Sequence, residues 1–223
     1  MTDRDRPSLA AAIRLSLDGF VGSLHAFLSW NAVLAVAVTL TVFLLSLSNL
    51  ALLAVPLLAP LTCGIGRMAA VAARDEHVAL RSALPGFAHR FWTKVGLAAA
   101  QSALLLVAGL NLLVAPAIDG LVAALSLAMS VYLIVTVLAY AIAFWPLLCD
   151  PRREEMPVPS LLRLALIVLL RRPLQLLTLL VVAVLSAFVI RSLVVPGLFL
   201  PGMVLLMIAG YVTPAADELA PVA

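Results

Sequence analysis

Residues 19–66, 48 in all, contain no Asp, Glu, Lys or Arg. A helix needs about 20 consecutive apolar residues to cross the hydrocarbon core of a bilayer. The run is too long for one crossing and suits two joined by a tight turn. Its most polar stretch, Ser46-Leu47-Ser48-Asn49, is where that turn belongs. Uncharged runs at 95–118, 120–149, 173–190 and 192–216 supply four more spans. The predicted fold is therefore all-α: one polytopic membrane domain over residues 1–223, with six transmembrane helices in three hairpins. The predicted spans are about 25–46, 49–72, 95–117, 121–148, 173–191 and 194–213.

Composition excludes a soluble alternative. Hydrophobic residues make up 65% of the chain and charged residues 11%, with a mean hydropathy of +1.19. Soluble domains average roughly 45–50% apolar and about 25% charged. An excess of this size cannot be buried in a core built from 223 residues. Asp3, Asp5 and Asp18 interrupt the first residues, and the apolar run after them exceeds the roughly 7–15 residues of a signal-peptide core. It is expected to be retained as membrane helices.

Orientation follows from the basic residues. In the six-span scheme thirteen of the fourteen fall on one side, and Arg191 alone falls on the other. An excess of Lys and Arg marks the cytoplasmic side, so both termini are expected in the cytoplasm. The basic residues lie in short clusters between apolar runs, which excludes a nucleic-acid-binding stripe. A basic cytoplasmic face is expected from Arg74, Arg81, Arg90, Lys94, Arg152, Arg153, Arg163, Arg171 and Arg172.

Each hairpin is expected to follow an amphipathic helix lying in the membrane interface. Before the first, Leu9, Ile13, Leu17, Phe20 and Leu24 fall on one helical face. Before the second, Leu80, Leu84, Phe87 and Phe91 repeat that spacing, and Pro85 starts or kinks the helix. Before the third, residues 160–170 are apolar apart from Arg163 and too short to span. Pro173 suits the first turn of the fifth span.

The second span carries the most unusual motif. Pro56, Pro60, Thr62, Gly64 and Gly66 fall within eleven residues. Each proline lacks a backbone N–H and so frees a carbonyl, and each glycine permits a bend or a close helix contact. The motif therefore predicts a helix break. Two readings stay open: a kinked packing helix, and a broken helix lining a cavity as in transporters.

Pro60-x-Thr62-x-Gly64, followed by a basic loop with Phe87 and Phe91-Trp92, resembles the YesL-like bacterial membrane protein family. Trp145-Pro146-Leu147-Leu148 and the basic stretch 160–172 resemble its second half. Ile65 stands where the family usually has proline. The resemblance implies a multi-pass protein of the bacterial plasma (inner) membrane, linked to carbohydrate uptake. It implies no defined catalytic residue.

Polar residues within the spans are few. Asn31, Gln101 and Gln175 each sit one to two turns into the first, third and fifth spans, where interhelical hydrogen bonds are expected. Asn49 and Asn111 fall near the outer ends. No charged residue lies mid-span, whereas ion-coupled transport usually needs one. Nucleophile, metal and phosphate motifs are absent, so no enzyme activity, cofactor or metal is expected. Cys63 and Cys149 both fall toward the reducing side, where a structural disulfide is not expected. The expected function is a non-enzymatic accessory or scaffold module. Its partners would be the lipid bilayer and another membrane protein, or a second copy of itself, and not nucleic acid. The alternative is a small transporter or channel using the second span.

Overall fold

The structure is a computed structural model that describes residues 10, 14, 18, 20–73, 78–117, 120–192 and 194–220, without the side chains of 50, 51 and 190–199. All secondary structure among these residues is helical. The α-helices are α1 (Leu24–Leu47), α2 (Leu58–Ala72), α3 (Ala83–Ala88), α4 (Phe91–Val114), α5 (Leu121–Cys149), α6 (Val158–Arg171), α7 (Pro173–Ser192) and α8 (Val194–Leu219). Five stretches are long and apolar enough to cross a membrane, and a sixth arises if the bent pair α6–α7 counts as one span.

Local sequence explains the boundaries. In α1 the hydroxyls of Ser29 and Thr39 donate to the carbonyls four residues back at 2.8 Å, so these polar groups are satisfied inside the helix. The helix ends where Ser48 turns extended. Arg172 leaves helical geometry because a following proline disfavours it, and Pro173 then opens α7. The result is a 99° corner between α6 and α7.

The second span changes helix type but not where Pro60 and Gly64 were expected to break it. Asn49–Leu57 is a 3-10 helix containing Pro56, and regular α-helix begins at Leu58. Pro60 is third in α2, where a missing N–H costs little. Thr62, Gly64 and Gly66 lie inside the unbroken α-helix. The reason is packing. A Cβ on Gly64 would lie 2.6 Å from Trp30 Nε1, and one on Gly66 would lie 3.2 Å from Cys149 Sγ. The glycines let α1 and α5 approach α2, rather than bending it.

α2 and α8 form the interior. Within the apolar windows 44% of α2 with its preceding turn and 56% of α8 are buried, against 11% in α4 and 11% in α5. Small residues make this possible: Ala69, Ala70 and Ala72 on α2, and Ala209, Ala215 and Ala216 on α8 are buried. Two packed clusters share α8. One joins it to α5, α6 and α7 through Leu147, Leu161, Leu176 and Tyr211; the other joins it to α1 and α2 through Phe27, Ile65 and Leu206. Outward positions such as Val36, Phe43, Leu113 and Phe188 are apolar and exposed, as a lipid-facing surface requires.

Of the three expected interfacial helices, the face of the first (Leu9, Ile13, Leu17) lies outside the described residues. The second is shorter than expected: a 3-10 turn Leu80–Ser82, then the six residues of α3. It packs on α2, with Gly86 against Arg67 and the Cys63 carbonyl. The third is α6. Leu161, Leu164, Ala165 and Val168 are buried, while Arg163, Leu166, Leu170 and Arg171 are exposed on the other side.

Candidate functional site

Charged side chains gather at one end of the bundle. The end of α2, the start of α4, the end of α5, α6, the start of α7 and the end of α8 all meet there. Arg67 pairs with Glu154. Arg153 reaches Asp217 at 2.6 Å and Asp150 at 3.7 Å, and donates to the Ala220 carbonyl at 3.1 Å. Arg172 pairs with Glu218 and stands 5.9 Å over the Tyr211 ring. Arg90 has φ of 51°, a left-handed corner between α3 and α4, and its guanidinium donates to the Met156 carbonyl at 2.8 Å. At the same end Ser23 Oγ accepts from the Val78 amide at 2.9 Å, bringing the start of α1 to the α2–α3 connection.

This geometry divides the expected basic face in two. Lys94 is not on it: the side chain is 1% exposed, and its ammonium donates to the Gly86 carbonyl. Arg153 is also 1% exposed and held by acids. Arg90 and Arg172 are half-buried and occupied by the contacts above. In each case an acceptor from another element draws the charge inward, because a buried charge is tolerated only when it is solvated by protein groups. Arg81, Arg152, Arg163 and Arg171 remain exposed. Arg74 lies outside the described residues. Exposed His89 beside this cluster has its pKa lowered, first by partial loss of water and then by Arg90, Lys94 and Arg67.

The polar span residues also separate. Gln101 Oε1 accepts from Trp145 Nε1 at 2.9 Å, linking α4 to α5. Asn31 is buried against α8, where a Cβ on Gly202 would lie 2.9 Å from its Nδ2. Gln175 is not buried: it is exposed in the first turn of α7 and carries no interhelical hydrogen bond among the described residues. Asn111 donates to Ser126 Oγ at 2.7 Å and Ser130 Oγ at 2.6 Å, pinning the other end of the α4–α5 hairpin.

A cavity of about 400 Å³ lies among α2, α5, α7 and α8. Thr62, Cys63 and Gly66 form one wall, Trp145 and Cys149 another, and Leu180 with its neighbours closes the far side. The Thr62 hydroxyl turns away to the Ala59 carbonyl at 2.8 Å, so the lining is apolar apart from the two thiols. Both cysteines are free and buried. Sequence reasoning placed them toward the same side but missed that they line one cavity. It also missed the Arg153–Asp150–Asp217 cluster, although Asp150-Pro151 at the end of an apolar run signals a helix stop. Among the described residues no group of three or more His, Cys, Asp or Glu could hold a metal ion.

None of the family models, curated proteins or solved structures compared with the chain matches it.

Proposed function

We propose that this chain is a non-enzymatic membrane module that docks on another membrane protein through the outer face of α6. In this reading it crosses a bacterial plasma membrane six times, with the charged end of the bundle and both termini in the cytoplasm. The observation that carries the docking surface is α6, the helix before the 99° corner. It shows Arg163, Arg171 and the nearby Arg152 to solvent, with Leu166 and Leu170 between them. Arginines that the fold has not neutralised are free to meet an acidic partner surface, and exposed leucines on the same face supply apolar contact. The same arginines are drawn to an anionic leaflet at about 1 kcal/mol each, which holds α6 at the depth where such a partner is met. The resemblance of the motifs around Pro60 and Trp145 supports a carbohydrate uptake system as the setting.

The test is a photo-crosslinking residue at Leu166 or Leu170 in membranes that contain the co-expressed permease of a sugar uptake system. A protein adduct is expected, and it should disappear when Arg152, Arg163 and Arg171 are all replaced by Gln, with insertion unchanged. Adducts to lipid alone overturn the docking reading. The cavity supports a second reading, passage or storage of an apolar compound beside the second span. Its walls offer no charged group, so a sugar or an ion does not fit it.

A further inference from the structure

Cys63 and Cys149 differ from ordinary buried cysteines, which behave as small hydrophobes. They come from two helices, α2 and α5, and line one cavity. Gly66, one turn after Cys63, keeps the gap open: a Cβ there would lie 3.2 Å from Cys149 Sγ. Both cysteines line the apolar cavity, where the Thr62 hydroxyl is taken up by the Ala59 carbonyl.

A second observation lies just behind this pair. Lys94 is buried, its ammonium donates to a backbone carbonyl, and it forms no ion pair among the described residues. That carbonyl belongs to Gly86, whose added Cβ would lie 2.9 Å from the Cys63 carbonyl and 2.8 Å from Arg67 Cβ. The Gly86 carbonyl thus sets the Lys94 ammonium in the layer that backs Cys63 on α2. Arg67 has Glu154 as its counter-ion, whereas among the described residues Lys94 has no carboxylate within ion-pair distance. The protein holds a fixed positive charge, shielded from water, behind two thiols that line one cavity.

We propose that Cys63 and Cys149 form a two-coordinate site for a soft monovalent metal ion of the Cu(I) class, with Lys94 as the charge partner. Thiolates select soft ions, and two ligands without oxygen donors suit a low-coordinate one and not Zn(II), which takes four. On binding, two S–H bonds break and two S–metal bonds form. Both protons leave to water, and no oxidation state changes. The bis-thiolate unit carries one negative charge, which Lys94 neutralises in a medium where an isolated charge is costly.

The test uses the intact chain in lipid nanodiscs, reduced with a phosphine under argon. Cu(I) is supplied from a chromophoric chelator, and thiols are counted by maleimide labelling and mass spectrometry. The metal-free protein should take two labels and the loaded protein none, at one Cu(I) per chain. Zn(II) at the same concentration should leave both thiols reactive. Lys94→Met should weaken Cu(I) retention roughly tenfold, as loss of an outer-shell partner does, and Cys149→Ser should abolish it. The wild-type labelling stands even where a variant folds poorly. Two labels in the presence of Cu(I), equal protection by Zn(II), or unchanged retention in Lys94→Met each overturn the assignment.

Discussion

Arg153 donates from Nη2 to Asp217 Oδ1 across 2.6 Å, so the turn after α5 is tied to the last turn of α8, 64 residues later. The arginine is buried, and its second acid, Asp150, is fully buried with it. Arg153→Gln removes the cation shared by Asp150 and Asp217 from a largely dry site. Removing one partner of a buried pair costs about 3–5 kcal/mol. The expected result is a lower thermal unfolding midpoint in detergent, with the C-terminal end of α8 becoming accessible to protease first. An unchanged midpoint would show that the pair contributes nothing to the docking of α8.

Gly64 lies under the Trp30 indole, whose Nε1 donates to the Leu61 carbonyl at 2.8 Å. Gly64→Ala places a methyl 2.6 Å from that nitrogen. Either the indole swings out and loses its hydrogen bond, or α1 moves off α2. Overpacking of this kind costs about 1–3 kcal/mol. Trp30 fluorescence and unfolding in a graded denaturing detergent should both report the change. Gly109→Ala, where a Cβ meets nothing within 4 Å, serves as the neutral control.

His89 titrates below its ordinary value, because partial burial and the cations Arg90, Lys94 and Arg67 disfavour a further positive charge. The unfolded chain then binds the proton more readily than the folded one. The stability His89 contributes is present above the unfolded value of about 6.5 and is lost as pH falls below it. The imidazole NMR resonance of His89 should move at a pH lower than that of a denatured reference. His89→Asn should flatten stability between that folded midpoint and the unfolded value.

Reporter fusions after Asn49, Asp119 and Arg191 should read as external, and fusions after Arg81, Arg153 and Asp217 as cytoplasmic. The expectation rests on thirteen basic residues on one side of six spans. A cytoplasmic readout at Asp119 would require α4 and α5 to be re-entrant.

Legibility along the chain tracked how local each cause is. Hydropathy and helix punctuation act over a few residues, so the apolar helices, the stop at Ser48 and the start at Pro173 could be read from letters alone. The rotation of each helix about its axis could not. α1, α5 and α7 are apolar on every side, because lipid accepts what a core would also accept, and periodicity then marks no inner face. α6 is the exception. Its alternation of buried leucines with Arg163 and Arg171 places it at a boundary.

The sequence by itself determined the solvent, the helical class and the crowding of basic residues on one side, since these depend on summed transfer energies and on backbone groups that must be satisfied within each helix. Only the tertiary structure decided which charges stay on the surface. Lys94 and Arg153 look like Arg163 and Arg171 as letters, but the Gly86 carbonyl and Asp217 reach them through folding and take them inside. The same packing turned the expected break at Pro60 and Gly64 into a close contact with Trp30. It also brought Cys63 and Cys149, 86 positions apart, to one cavity. Such pairings depend on how helices cross and rotate against each other, and no run of residues encodes that alone.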